Sequence, residues 1–334
     1  MYAEYYALSG LPFQLTPDAR FFFPSSEHNR AMAHLTYGLH QGEGFVIITG
    51  DVGAGKTMLV EHLISTIDPH GYATATVVTT QVNADDMLRL VAAAFGVLEE
   101  GIDKASLYKR IEGLLARNLA QGKRTILLVD EAQGLTFKVL EELRMLSNIL
   151  IDGKVALQCV LLGQPQFRQT LSDPALEQLR QRVVASYHLG PLNQGETKSY
   201  IEHRLKMVGW KQDPDFAEGG FEEIFRFTAG IPRRVNTLCS RLMLFGFLEE
   251  RHVIDTDAVI KVAEEQGREL NQAKDASAAL PAPPSLSAQT ANSHDSDDQL
   301  LRRIDVIERT VRAQDQFIRR AMALVATFIE RGKP

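Results

Sequence analysis

The sequence predicts a three-layer α/β/α domain built on a parallel sheet, followed by a small all-helical domain. Three observations support this. From Phe45 to about Leu189, short apolar runs alternate with helical patterns. Those runs are continuously apolar, not alternating, as in strands buried on both faces. From Asn193 to about Gly267 only helical periodicity remains, as at Tyr200, Ile201, Leu205 and Val208.

The elements follow in order. Residues 1–40 form a lead-in that opens "MYAEYYALSGLPF", with no basic patch before an apolar run, so no secretory leader is expected. Five segments read as strands: "FVIIT" (45–49), "TATVVT" (74–79), "TILLVD" (125–130), "VALQCVLLG" (155–163) and "ASYHLG" (185–190). The α/β domain is assigned to 41–191 and the helical domain to 192–270. Residues 271–298 hold seven Ala, five Ser, three Pro and no aromatic residue. Such a segment buries too little surface to offset its ordering entropy and reads as a flexible linker.

Helical order returns over 299–332. Leu300, Ile304, Ile307, Val311, Gln314, Ile318, Ala321, Val325 and Phe328 recur at spacings of four and three, with β-branched residues at Ile304, Val311, Ile318 and Val325. Three readings stay open: a coiled coil or partner-binding helix, a helix packed back on the core, and a membrane-surface helix. Asp305, Glu308 and Asp315 oppose the last of these.

Composition narrows the class. The 334 residues are 45% apolar and 23% charged, with a net charge of −6, as in a soluble globular protein. No run of 18 apolar residues exists, so no transmembrane helix is expected. Cys159 and Cys239 stand far apart without a CxxC or paired His, and read as reduced, buried thiols in a cytoplasmic protein.

The chemistry concentrates in four places. Gly50, Asp51, Val52, Gly53, Ala54, Gly55, Lys56 and Thr57 fit GxxxxGK[ST] between a strand and a helix that continues through Met58. Glycines there let backbone N–H groups turn toward phosphate oxygens, and the helix adds its positive end. Lys56 would reach the β and γ phosphates of ATP, and the Thr57 hydroxyl would bind Mg²⁺. In "TILLVDEAQ", a strand delivers Asp130 to the Mg²⁺ shell and Glu131 to the attacking water. In "LLGQPQF", Gln164 ends the next strand, where its amide can touch the γ-phosphate or the lytic water. Arginines suited to phosphoryl transfer stand in "LEQLRQRVV" (Arg180, Arg182) and in "AGIPRRVNTL" (Arg233, Arg234).

Together these motifs resemble the P-loop NTPases of the AAA+ class. Within it the likeness is to the ExeA/general secretion pathway A group, over about residues 1–270. The motifs that carry it are the lead-in "YYALSGLPFQLTPDARFFFPSSEHNRAMAHLTYGL", then "GDVGAGKT", "LLVDEAQ", "LLGQPQ", "LRQRV", "YIEHRL" and "GIPRRVN". The likeness is strongest to the secretion ATPases associated with exosortase (PEP-CTERM) and exopolysaccharide systems. The resemblance implies that Gln164 is sensor 1 and Arg233 the sensor 2 arginine, with Arg234 beside it. It implies that Arg182, or else Arg180, is a finger entering a neighbouring subunit's site, and that the lead-in wraps the adenine. Secretion pathway A proteins continue into a transmembrane helix and a peptidoglycan-binding domain. Here a linker and a heptad helix take that place, so a partner is expected to supply any membrane link.

Two functions from different classes follow. The first is an ATP-hydrolysing motor or switch acting on a protein partner of envelope or exopolysaccharide export, recruited by the C-terminal helix. It would work as a head-to-tail homo-oligomer, a hexamer being one candidate size. The second is a DNA-loading ATPase resembling transposition or origin-recognition regulators. Residues 1–270 oppose it, with 27 Lys/Arg against 34 Asp/Glu and no Lys/Arg-rich run. A nucleotide-gated adaptor with little turnover is a third reading, opposed by the intact Glu131.

Overall fold

The computed structural model describes residues 1–16, 18–78, 82–97 and 101–278. Met1–Ala273 form one structural unit; of the second, Lys274–Pro334, only the helical stretch to Ala278 is described. The expected heptad helix over 299–332, and the expected linker beyond residue 278, lie outside the described residues.

In chain order the helices are α1 (Tyr2–Tyr5), α2 (Ser26–Gln41), α3 (Lys56–Thr66), α4 (Ala84–Ala94), α5 (Lys104–Ala120), α6 (Phe137–Leu146), α7 (Gln166–Leu171), α8 (Glu177–Arg180), α9 (Gln194–Lys206), α10 (Glu218–Thr228), α11 (Pro232–Leu248) and α12 (Thr256–Ala278). The strands are β1 (Phe45–Gly50), β2 (Tyr72–Val78), β3 (Arg124–Asp130), β4 (Leu150–Ile151), β5 (Lys154–Val155), β6 (Leu157–Gly163), β7 (Val183–Leu189), β8 (Asp215–Phe216) and β9 (Val253–Ile254). Residues 271–278, expected in the linker, continue α12. Alanine, glutamine and lysine there favour a helix, and no proline intervenes before Pro281.

Five strands form one parallel sheet in the order β2-β3-β6-β1-β7. Every residue of β1 and β6 is buried, which explains their unbroken apolar runs. Side chains still alternate between the two faces. Phe45 and Ile47 pack with Met87 and Val91 of α4, Ile111 of α5 and Leu143 of α6. Val46 and Ile48 pack with Leu35 of α2 and Leu59 of α3 on the other face. Registers Thr49↔Gly163 and Val129↔Leu161 bring the C-terminal ends of β1, β3 and β6 to one edge. Cys159 and Cys239 are free and buried, and burial pushes the Cys159 thiol up to about 12.

The segment read as one strand over 155–163 divides at Ala156. Lys154–Val155 pair antiparallel with Leu150–Ile151 around an Asp152-Gly153 turn, both at positive φ (51° and 74°). Asp-Gly favours this tight hairpin. The helical region holds one parallel ladder, Asp215↔Val253 and Phe216↔Ile254. Two residues per strand are too few to show a period of two in sequence.

The lead-in serves both layers. Helix α2 covers the sheet, whereas Tyr6, Leu8, Phe13 and Phe21 lie in the core of the helical lid with Ile201, Leu205, Ile224, Leu242 and Val259. At the crossing from sheet to lid, Asn193 and Glu196 form a capping box on α9. The Glu196 carboxylate also accepts from the Ser26 N–H at 2.7 Å, so one side chain ties the starts of α2 and α9. Because Phe13 is only 2% exposed, Phe13→Ala is expected to destabilise the chain by about 3–5 kcal/mol in urea unfolding. Leu15→Ala, at a side chain that is 57% exposed, is expected to stay within about 0.5 kcal/mol.

Candidate functional site

The glycine loop leaves the C-terminal end of β1 and enters α3 at Lys56. Gly53 and Gly55 adopt φ of 82° and 101°. A Cβ at Gly53 would lie 2.3 Å from the Arg233 Cβ, and one at Gly55 would lie 2.7 Å from His28 Nε2. Both positions therefore need glycine, for backbone conformation and for space. Ala54 turns inward and is buried in the core between α2 and the sheet.

Val52, Gly53, Gly55, Lys56, Thr57, Met58, Asp130, Glu131, Gln164 and Arg233 line one cleft of about 300 Å³. Lys56 Nζ donates to the carbonyls of Gly50 (2.8 Å) and Asp51 (3.0 Å), so its ammonium lies over its own loop. Burial lowers its pKa, opposed by the charges of Asp130, Glu131 and Asp51. Thr57 Oγ1 donates to Asp130 Oδ2 at 2.8 Å, and Asp130 Oδ1 accepts from the Glu131 N–H at 2.8 Å. Glu131 takes the left-handed conformation at φ 57°. A non-glycine residue holds that conformation at a cost of about 1–3 kcal/mol, a pattern concentrated at functional sites. Glu131 Oε2 accepts from Gln133 Nε2 and from Gln164 Nε2, the latter at 3.3 Å. Gln133 Oε1 in turn accepts from the Gln164 N–H at 2.9 Å, fixing the tip of β6 against the acid.

The donor set fits a divalent cation in one specific way. Thr57 and Asp130 offer hard hydroxyl and carboxylate oxygens beside the phosphate loop. Among the described residues no group of three or more His, Cys, Asp or Glu could hold a metal. A cation here would be completed by phosphate oxygens and water, the usual arrangement for Mg²⁺.

The cleft continues into a side pocket lined by Phe21, Phe22, Phe23, Met58, Leu192 and Pro232, among others. His28 stands in its wall, with Nδ1 2.7 Å from Ser25 Oγ. Burial drives its pKa from the ordinary 6.5 to about 4, against the pull of Glu196 and Glu27. The ring is therefore neutral at pH 7. Phe22 stacks on His62 with centroids 4.0 Å apart. An apolar, aromatic pocket beside a phosphate cradle suits a purine base.

The lid closes the cleft from above. The Arg233 N–H donates to the Gly53 carbonyl at 3.1 Å, and Pro232 starts α11 beside the loop. The Arg233 side chain forms no ion pair among the described residues. Arg234 is exposed and does not line the cleft. Neither Arg180 nor Arg182 lines the cleft. The Arg182 carbonyl accepts from the N–H of Phe45, the first residue of β1, whereas the loop follows the last. Arg180 pairs with Glu177 and donates to the Leu171 carbonyl at 3.4 Å.

Several cleft residues escaped the sequence reading: Gln14, Leu15, Thr16 and Asp18 of the lead-in, and Tyr200, Arg204 and Asn236 of the lid. One local signal pointed to two of them. Tyr200 and Arg204 are four apart in "YIEHRL" and so share a helix face. Gln133 lay inside the quoted "DEAQ" without a role.

A family described as "AAA domain" matches residues 39–171. General secretion pathway protein A of Aeromonas hydrophila is 38% identical over 255 residues, which are 76% of this chain and 46% of that protein. The chain thus spans about half the length of that curated relative. The Cdc6p structure of Pyrobaculum aerophilum aligns with a TM-score of 0.61 at 15% identity, covering 76% of this chain and 70% of that one. The ORC2 structure of Aeropyrum pernix aligns at 0.55 and 16% identity, covering 75% and 72%. A cleft of this make, at the C-terminal edge of this strand order, is that of a P-loop NTPase. The chain belongs to the AAA+ branch of that class and is a relative of general secretion pathway protein A.

His28 yields a pH prediction. Its folded pKa lies near 4 and its ordinary value at 6.5, so the unfolded chain takes the proton first. Stability should therefore fall as pH drops from roughly 6.5 toward 4, by about 2 kcal/mol at pH 5 relative to pH 7.5. Urea unfolding of the wild type and of His28→Asn at the two pH values checks this. The variant's loss should be smaller by about that amount, and equal losses would contradict the assignment.

Proposed function

We propose that the chain binds Mg-ATP in this cleft and hydrolyses it to drive or switch a protein partner in an envelope export system. The observation that carries the reading is the meeting of the loop lysine, the hydroxyl–carboxylate pair, the Glu131–Gln164 contact and a lid arginine in one cleft. Loop N–H groups and Lys56 hold the β and γ phosphates, and the aromatic pocket takes the adenine. Thr57 and Asp130 would hold Mg²⁺, which would supply neutralisation of the nucleotide's phosphate charge. Glu131 orients the attacking water and accepts its proton, with Gln133 and Gln164 holding the carboxylate in place. Arg233 brings a lid cation to the charge that develops on the γ-phosphate.

Arg182, or else Arg180, serves a neighbouring subunit. That neither lines its own cleft, and that the Arg182 carbonyl pairs with the first residue of β1, supports this. A head-to-tail ring follows, with a hexamer as one size to test. The name of the curated relative supports secretion as the setting, and the exosortase/exopolysaccharide systems are the proposed instance. The segment 299–334 is the proposed partner-recruiting element, and an inner-membrane partner would link a cytoplasmic ATPase to the envelope.

ATP turnover by the purified chain, with and without duplex DNA, tests the reading. Glu131→Gln should lower kcat by about 10²–10⁴-fold while ATP binding persists. Lys56→Ala should weaken ATP binding itself. Turnover indifferent to DNA at physiological salt supports the protein-directed reading. Strong DNA stimulation would move the assignment to DNA loading. Turnover that survives in both variants would sink the proposed site.

A further inference from the structure

Arg204 plays no part in the phosphate chemistry above, yet it is the most deeply buried charge at the cleft. It sits on α9 and is only 6% exposed. Among the described residues no Asp or Glu comes within ion-pair distance of it. Its guanidinium is satisfied by neutral groups alone. Nε donates to the Pro12 carbonyl at 2.6 Å, Nη2 to the Gln14 carbonyl at 3.3 Å, and Nη1 to the Tyr200 hydroxyl at 2.9 Å. The Phe21 ring lies 4.7 Å away and the Tyr200 ring 5.6 Å, both facing the cation. The Tyr200 hydroxyl donates onward to Asn236 Oδ1 at 2.9 Å, which anchors the group to α11. A buried cation with no acid in direct contact is costly, Asp18 acting on it only through space, so its placement needs a compensating role.

Its location supplies that role. Arg204 and Tyr200 line both the phosphate cleft and the aromatic side pocket, so they stand at the junction between them. The two carbonyls that Arg204 holds belong to the strand of lead-in whose Gln14, Leu15 and Thr16 form one wall of the cleft. Phe13 anchors one end of the strap in the lid core, whereas Gln14, Leu15 and Thr16 are exposed, Leu15 by 57%, so apolar burial does not fix the part that faces the cleft. Beyond Phe13, which is buried in the lid core, the lid holds the strap's backbone through Arg204, at the point where a nucleotide's base end would meet its phosphates.

We propose that Arg204 is the latch that closes the N-terminal strap, residues 12–16, over the base and ribose end of a bound nucleoside di- or triphosphate. The inference rests on the nucleotide-binding reading above and deepens it. Arg204 is a positioning residue: it acts through the strap, and it sets how long a nucleotide stays. Ligands that reach the base end depend on it, whereas a ligand confined to the phosphate loop does not.

The test compares ADP with tripolyphosphate on the full chain, for wild type, Arg204→Gln and Tyr200→Phe. Tyr200→Phe keeps the ring and removes only the hydroxyl, so it stands in should Arg204→Gln not fold. Losing the charge-assisted bonds should speed ADP release about tenfold in Arg204→Gln, and Tyr200→Phe should speed it less, by about two- to fivefold. Tripolyphosphate affinity should change less than about twofold in either. Hydrogen exchange at the amides of residues 13–16 should slow when ADP binds the wild type and should not slow in Arg204→Gln. Equal losses of both ligands, or wild-type release of ADP from both variants, would overturn the latch. A wild type that binds neither ADP nor tripolyphosphate would instead overturn the nucleotide reading, and the latch with it.

Discussion

The phosphate loop is held from two sides by elements that are not its own strand and helix, and the site depends on that double hold. From the lid, the Arg233 N–H reaches the Gly53 carbonyl and the arginine's own Cβ sits where a Gly53 side chain would be. From α2, His28, fixed by Ser25, fills the space beside Gly55. The loop glycines thus do more than turn the chain. They admit two neighbouring elements so closely that lid, loop and lead-in form one wall. A change in the cleft that moved the loop would be felt directly at the start of α11 and at α2.

Electrostatics follow the same plan. Acids gather at the C-terminal end of β3, where Asp130 is bonded by Thr57 and Glu131 is held by two glutamines. The lysine and arginines stand opposite, on the loop and on the lid. His28 contributes a neutral ring, because burial keeps the proton off it. Glu196 and Glu27 put their charges on backbone N–H groups, at Ser26, Asn193 and Gly190, where they bind the sheet layer to the lid. Acids outside the cleft thus join the sheet layer to the lid and leave the cleft's local charge to Lys56, Asp130, Glu131 and Arg233.

Much of this was legible in the sequence, for a physical reason. Strands buried on both faces read as unbroken apolar runs, and the glycine loop, Asp130, Glu131 and Gln164 each follow such a run directly. Contacts that are local in sequence, or that one strand end fixes, leave a pattern. The Arg204 group left almost none, since its bonds to Pro12 and Gln14 span 192 and 190 positions. The lead-in was legible as a segment but its division was not, since nothing local to Tyr6 and Phe13 shows which core receives them. The hairpin at Asp152-Gly153 hid inside an apolar run because its second strand abuts β6 with one residue between.

Loop, lid and lead-in together enclose the cleft as one body. Thermal unfolding of the purified chain against rising ADP, with and without Mg²⁺, measures it most directly. A ligand that binds only the folded state raises stability as RT ln(1 + [L]/Kd), about 2.7 kcal/mol at a hundredfold excess over Kd. Sheet and lid are expected to unfold in one transition that moves upward with ADP. No shift at millimolar ADP, or a shift of one of two separate transitions, would contradict it.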